Sequence, residues 1–294
     1  MFLSIITPTF NRGYILSNCY KSLLLQTCND FEWVVVDDGS IDDTEQIVKN
    51  FINEGKLKIK YIKQKNGGKH RAHNVAVRAS EGEMIICVDS DDLLTEDAVY
   101  SAKQYWEENK TKAYVGILAK RGDLREKKAI CATWPEYLKS STMFGLSEKY
   151  GFYGDTALFF RADILKKNLF IEFEDEKFLP ESNLYCDLDK IGEMLLLDKV
   201  LYLCEYLPDG LTAKFHELLK KNPNGTADTY YKMMCLSDSI KGKLKYAVLV
   251  NIYRNISNSK EELQFSSGKV WLLITKIPSV VLKKYFFKKV DSLS

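Results

Sequence analysis

No C-x-x-C pair occurs among the seven cysteines, no apolar run reaches about 18 residues, and no basic leader precedes the first hydrophobic stretch. The first absence, with several of the cysteines inside apolar periodic segments, leaves the thiols as reduced core residues of a cytosolic protein. The second leaves no helix expected to span a bilayer. By the third, Met1-Phe2-Leu3-Ser4-Ile5-Ile6 is too short and uncharged for a secretory signal and is expected to be a first strand. Histidine is scarce as well, at three residues. His70 and His73, at i and i+3, have no third ligand nearby, so a structural or substrate-facing role is favoured over shared metal ligation.

The chain has 294 residues, 46% hydrophobic and 28% charged, enough to bury a core as one large or two intimate domains. Its net charge of +2 conceals an asymmetry. From Lys241 to Ser294 eleven Lys or Arg face three Asp or Glu, so this tail carries +8 and the remainder −6. A basic tail suggests an anionic partner or surface. Because the basic residues concentrate in one apolar-rich tail and follow no recognition motif, no nucleic-acid partner is expected.

Strand and helix signals alternate through the first 110 residues. Leu3 to Ile6, Phe31 to Val36, Leu57 to Ile62 and Met84 to Val88 read as strands. Between them lie helix-period segments carrying Leu16, Cys19 and Leu23, then Val48 and Phe51, then Ala72, Val75 and Ala76, with Gly55 as a C-terminal stop for the second. Short connections between such elements imply parallel βαβ units and a doubly wound, mostly parallel α/β sheet. Thr95 is expected to cap a fourth helix.

In such a sheet, ligands bind outside the carboxyl ends of the strands. Three strand ends here carry polar sets: Thr7-Pro8-Thr9, Asp37-Asp38-Gly39-Ser40 and Asp89-Ser90-Asp91-Asp92. The last puts three carboxylates within four residues after a buried run, a source of hard oxygen ligands for a divalent cation held against a phosphate. Asn66-Gly67-Gly68-Lys69 lacks the spacing of a phosphate-cradling P-loop and reads equally as a flexible turn.

Beyond residue 110 the pattern is less regular. Tyr150 to Asp155 is a Gly-rich aromatic loop entering a strand at Thr156 to Arg161, and Glu181 follows Pro180 on an irregular stretch. Asp209-Gly210-Leu211-Thr212 and Asn222-Pro223-Asn224-Gly225 read as turns before a mostly helical C-terminus.

The pieces Ile5 to Arg12, Phe31 to Ser40, Asn66 to Lys69, and Glu81 to Met84 leading into Asp89 to Asp92 resemble, in order and spacing, the inverting GT-A-fold glycosyltransferases of family 2 that build bacterial surface polysaccharides. The resemblance implies that Thr7, Pro8, Thr9 and Asp38 frame the base and ribose of a nucleotide-sugar donor, UDP-linked, with Lys69 near the base. It also implies that Asp89, Ser90, Asp91 and Asp92 serve ribose and diphosphate, and that Asp91 and Asp92 hold Mn²⁺ or Mg²⁺. Glu181 falls where the family places its acceptor-activating carboxylate, although Ser182 follows it where an Asp is usual; Asp155 is the second candidate. The Q-x-x-R-W motif of processive synthases is absent, which favours a non-processive transferase.

The implied division is residues 1–110 for the donor half, 111–215 for the acceptor half, and 216–294 for a helical basic extension. The expected acceptor is a glycan or a polyprenyl-linked glycan. Lys269 to Lys289 mixes lysines with aromatic and aliphatic residues, a composition that suits either an interfacial helix on anionic lipid or a C-terminal helix packed on the core. The protein is therefore expected in the cytoplasm, with peripheral contact at the inner face of the plasma membrane as the first of those alternatives. A nucleotidyltransferase would carry a glycine-rich loop directly after its first strand, and no glycine occurs there before Gly13. A non-catalytic nucleotide- or glycan-binding scaffold would bind donor without turnover.

Overall fold

The computed structural model describes residues 1–205, 210, 214–257 and 267–291, and of residues 281, 284–286 and 288–291 the backbone alone. The chain falls into two compact units: Met1–Leu169 with Ile191–Glu205, and Phe170–Lys190 with the chain from residue 206 onward.

In the first unit β1 (Leu3–Thr9), α1 (Gly13–Leu24), β2 (Phe31–Asp37), α2 (Thr44–Glu54), β3 (Ile59–Lys63), α3 (Lys69–Ala79) and β4 (Met84–Cys87) follow one another as expected. Then come β5 (Leu93–Leu94), α4 (Ala98–Asn109), β6 (Tyr114–Asp123), β7 (Ser140–Ser141), α5 (Met143–Tyr150), β8 (Thr156–Arg161) and α6 (Ala162–Leu165). After α7 (Ser182–Leu188), which belongs to the second unit, the chain returns as β9 (Glu193–Cys204). The sheet order is β3-β2-β1-β4-β8-β6-β9-β5, with β7 also on β9. β3, β2, β1 and β4 run parallel, β8 is antiparallel to β4 and β6, and β9 is parallel to β6.

Every residue of β1 and β2 is buried, the pattern of a parallel strand covered on both faces. On one face Tyr20, Phe51 and Trp33 stack, with the Tyr20 and Phe51 ring centroids 4.0 Å apart. This aromatic layer fixes α1 and α2 against the sheet. Gly55 ends α2 at φ 63°, a left-handed stop that glycine adopts without steric cost.

Two local expectations are corrected. α4 begins at Ala98 with Asp97 in the cap position, because the Thr95 N–H is drawn to the Leu201 carbonyl and prolongs the β5–β9 pairing. Asn222-Pro223-Asn224-Gly225 is a helix start, not a turn. Pro223 opens α9 (Pro223–Leu236), and the buried Glu176 carboxylate accepts the Asn224 and Gly225 N–H groups at 2.6 and 2.7 Å. A proline costs nothing at this position, and a carboxylate at a helix N-terminus satisfies donors that have no partner within the helix. The expected turn at 209–212 lies outside the described residues apart from Gly210.

The second unit also holds α8 (Phe215–Lys221), α10 (Ile240–Arg254), α11 (Lys269–Ile274) and α12 (Lys276–Asp291). α7 is joined to α9 by a polar network. Asn183 donates to Asp228 and Thr229 at 2.8 and 3.1 Å, and the Lys232 ammonium donates to Asn183 at 2.8 Å while pairing with Asp187.

β6 approaches β8 so closely at Gly116 that a Cβ there would lie 2.0 Å from the Phe159 carbonyl oxygen. Gly116→Ala is therefore expected to destabilise the protein by about 3 kcal/mol in urea unfolding, since the clash is with backbone and no side chain can yield.

Candidate functional site

The strand directions bring the carboxyl ends of β1, β2, β4, β6 and β9 to one edge of the sheet, together with the amino end of β8. The three polar strand-end sets read from the sequence meet along this edge. So does Asp155, exposed immediately before β8.

Asp38 holds the left part of the edge together. Its N–H donates to the Thr9 carbonyl at 2.8 Å, binding the end of β2 to the end of β1. Its buried carboxylate accepts four donors from the loop after β3: Gln64 Nε2 at 2.7 Å, Asn66 Nδ2 at 3.1 Å, and the Gly67 and Gly68 N–H groups at 2.8 and 2.7 Å. The Asn66-Gly67-Gly68 stretch is thus clamped to the end of β2. Gly39 permits the approach: at φ 83° its missing Cβ would fall 2.9 Å from the Asn66 nitrogen. Asp37 is also buried, accepting Ser40 N–H and the Tyr61 hydroxyl at 2.7 Å each; burial, then this bond, pushes the Tyr61 phenol well up. Asn11, left-handed at φ 53°, donates its N–H to Ser40 Oγ and accepts the Ile41 N–H.

Of the three β1 residues, Thr7 is committed to the core, since its Oγ1 accepts Trp33 Nε1–H at 2.9 Å. Pro8 is buried and in register with Val36. Thr9 Oγ1 is buried with no hydrogen-bond partner among the described residues, an atom that costs free energy unless something pairs with it.

Lys69, first residue of α3, reaches across to Asp89, with Nζ 2.7 Å from Oδ1. His70 and His73 on the same helix are buried. Ser90 and Asp92 are buried as well. Burial foremost, and then the Asp89 charge, raises the carboxyl pKa of both Asp91 and Asp92 above the ordinary range, while the Tyr202 hydrogen bond and Arg121 oppose the rise at Asp92.

Tyr202 on β9 and Arg121 on β6 were not picked out from the sequence. The wholly buried Tyr202 hydroxyl accepts the Asp89 N–H at 3.0 Å and donates to Asp92 Oδ2 at 2.7 Å, so one atom ties both ends of the acidic turn. The Arg121 guanidinium lies 4.1 Å from the Tyr202 ring centroid and 4.0 Å from Asp92. A cation at the end of the apolar run Tyr114 to Ala119 was a signal available for Arg121. Tyr202, inside an apolar run, offered none.

A divalent cation fits Asp91 and Asp92 by donor chemistry: two hard oxygen groups with raised pKa, one of them next to a Tyr hydroxyl. Among the described residues no three His, Cys, Asp or Glu side chains form a closed cage. Mg²⁺-type ions need none, because they take one or two carboxylates and complete their shell with water and phosphate oxygens.

Asp155 lies close enough to Cys204 that its charge, after burial and Asp92, helps push that thiol up to about 11. Glu181 belongs to the second unit, directly before α7, where its Oε2 accepts the Tyr185 hydroxyl at 3.0 Å.

This architecture, a large mostly parallel α/β sheet with a helical C-terminal part, is that of the GT-A class of folds. The family described as Glycosyl transferase family 2 matches residues 4–169, more than half of the chain, and the chain belongs to that family. Among curated proteins it is similar to the poly(ribitol-phosphate) beta-N-acetylglucosaminyltransferase TarS of Staphylococcus aureus, 36% identical over 111 residues. That match covers 37% of this chain and 19% of TarS, so the chain corresponds to about a fifth of that relative's length. Among solved structures, S. aureus TarS 1-349 in complex with UDP-GlcNAc shares the fold at TM-score 0.60 and 20% identity, covering 87% of this chain and 81% of that one. The Pyrobaculum calidifontis mannosyltransferase PcManGT, in complex with GDP-Man and Mn²⁺, does so at TM-score 0.58 and 14% identity, covering 96% and 87%.

Removing the Tyr202 hydroxyl would strand the Asp89 N–H and Asp92 together. Tyr202→Phe is expected to cost about 2 kcal/mol of stability in urea titration and to weaken divalent-cation-dependent nucleotide binding in calorimetry.

Proposed function

We propose that the chain transfers a sugar from a nucleotide-diphosphate donor, UDP-linked, to a hydroxyl of a glycan or polyprenyl-linked glycan, with inversion at the anomeric carbon. The observation that carries this reading is the pair of carboxylates Asp91 and Asp92 at the sheet edge, Asp92 buried and Asp91 half-buried, beside the Lys69–Asp89 ion pair and on the same edge as Thr9 and the loop clamped by Asp38. Membership of family 2 supports the reaction class, and the resemblance to TarS, whose structure holds UDP-GlcNAc, supports a UDP-linked donor.

In this reading Asp38 shapes the base pocket by holding the Asn66-Gly67-Gly68 loop, and the unpartnered Thr9 hydroxyl is left to meet the nucleoside. Thr7 and Pro8 act through the backbone of β1. Asp89 and Ser90 border the ribose and diphosphate, and Lys69 adds a positive charge beside them. Asp91 and Asp92 would hold Mn²⁺ or Mg²⁺, which when bound offsets the negative charge growing on the departing diphosphate. Glu181 is the proposed general base, with Asp155 second. As the acceptor oxygen bonds to the anomeric carbon and the bond to the diphosphate breaks, this carboxylate takes the hydroxyl proton. No covalent nucleophile is needed in a single displacement. The setting proposed for this chemistry is the cytoplasm, at the inner face of the plasma membrane where the acceptor is lipid-linked.

The test is a thermal-shift screen with UDP, GDP, CDP and dTDP sugars, each with and without Mn²⁺. A ligand that binds only the native state at about 100 times its Kd stabilises by about 2.7 kcal/mol, a readily measured rise in Tm. The expected result is a Mn²⁺-dependent rise with UDP-sugars that Asp91→Ala abolishes. Glu181→Gln should keep the rise and lose turnover. Turnover retained in Glu181→Gln but lost in Asp155→Asn would move the base to Asp155, and the absence of any nucleotide-dependent rise would favour a scaffold.

A further inference from the structure

The last two helices leave an aliphatic stripe exposed. The backbone runs almost continuously from α11 into α12, with the Thr275 N–H donating to the Trp271 carbonyl at 3.2 Å and the Ser279 N–H to the Thr275 carbonyl at 3.0 Å. Leu272, Thr275 and Ser279 are buried, Trp271 packs beside Leu272, and Phe287 meets Tyr253 edge-on. This side is anchored by Asn251 of α10, whose Nδ2 donates to the Leu272 carbonyl at 2.8 Å and to Thr275 Oγ1 at 3.0 Å. Five aliphatic residues point the other way. Val270, Leu273, Ile274, Ile277 and Val280 are 68%, 73%, 52%, 79% and 60% exposed. Their spacing of three and four residues makes them one continuous stripe along the helix axis.

Such a stripe loses free energy in water, and a helix that merely packed on a core would have turned it inward. Beside the stripe, Lys269, Lys276 and Lys283 recur every seven residues, two helical turns apart, so they line up along one flank. Lys269 and Lys276 are exposed. The segment that contains the stripe is basic as well: the chain from Lys241 carries a net +8.

We infer that this face of α11 and α12 is a membrane-docking surface for an anionic lipid bilayer. The five aliphatic side chains enter the boundary between headgroups and acyl chains, and the lysine row remains at the level of the lipid phosphates. Charge complementarity selects this occupant over a second copy of the chain, because two such tails would bring like charge against like charge. The inference deepens the proposed function, in which the acceptor is lipid-linked, by assigning the surface that would bring the enzyme to it.

The experiment is co-sedimentation of the full chain with phosphatidylcholine vesicles and with vesicles that also contain phosphatidylglycerol, at low and high salt. Neither donor nor acceptor is present, so the outcome is independent of whether the chain is a transferase. The expected result is binding to the anionic vesicles at least about tenfold tighter than to the neutral ones, weakening as salt is raised. Leu273→Glu with Ile277→Glu should lose at least about tenfold in affinity at unchanged Tm, because both side chains are exposed in the folded protein. Lys269→Ala with Lys276→Ala should abolish the preference for anionic lipid. Absence of binding to either vesicle, or undiminished binding by the Leu273→Glu, Ile277→Glu variant, would overturn the inference. So would a concentration-dependent dimer in sedimentation velocity that the same pair of substitutions dissolves, which would assign the face to a second copy.

Discussion

One carboxylate fixes the loop that follows β3 to the edge of the sheet. Asp38 accepts two side-chain and two backbone donors from the loop between β3 and α3, and donates its own N–H to the end of β1. Without it the glycine pair Gly67-Gly68 would be an ordinary mobile turn, because glycine loses more backbone entropy on ordering than any other residue. Charge-assisted bonds to two successive N–H groups offset that entropy, and the fixed loop sets where α3 begins and hence where Lys69 stands. The Lys69–Asp89 pair carries the constraint to the acidic turn. Asp38 thereby governs the geometry of side chains it does not touch.

The right half of the edge rests on Tyr202. Its hydroxyl serves as acceptor and donor at once, and burial keeps it protonated throughout the working range of pH. The buried Asp92 carboxylate, its pKa already raised, is thus met by a neutral donor, with the Arg121 guanidinium 4.0 Å away.

Much of this was legible in the sequence, because the chemistry sits where strands stop. A buried parallel strand is an apolar run, and Thr7 to Thr9, Asp37 to Ser40 and Asp89 to Asp92 mark the three ends by contrast. The sequence could not say how these groups divide their work. Thr7 belongs to Trp33 and Asp38 to a loop, and only long-range pairing decides that. Tyr202 escaped for the same reason: it meets Asp92 across 110 residues, through the β5–β9 pairing that also displaced the expected cap at Thr95. Asn222 and Pro223 carry the signature of a turn and of a helix start alike, and the deciding partner, Glu176, is 48 residues away from the nearer of the N–H groups it accepts.

Glu176 bears on the order in which the chain can become native. It lies in the stretch Phe170–Lys190, which belongs to the second unit although β9 afterwards goes back to complete the first. During synthesis this stretch emerges before β9, yet the N–H groups its carboxylate accepts are on Asn224 and Gly225. The sheet can therefore close while Phe170–Lys190 still lacks α9, whose Gly225 lies against Leu179 and Phe173. A fragment ending soon after Glu205 would retain every strand of the sheet and still expose that apolar stretch, making it a poor choice for an isolated catalytic unit.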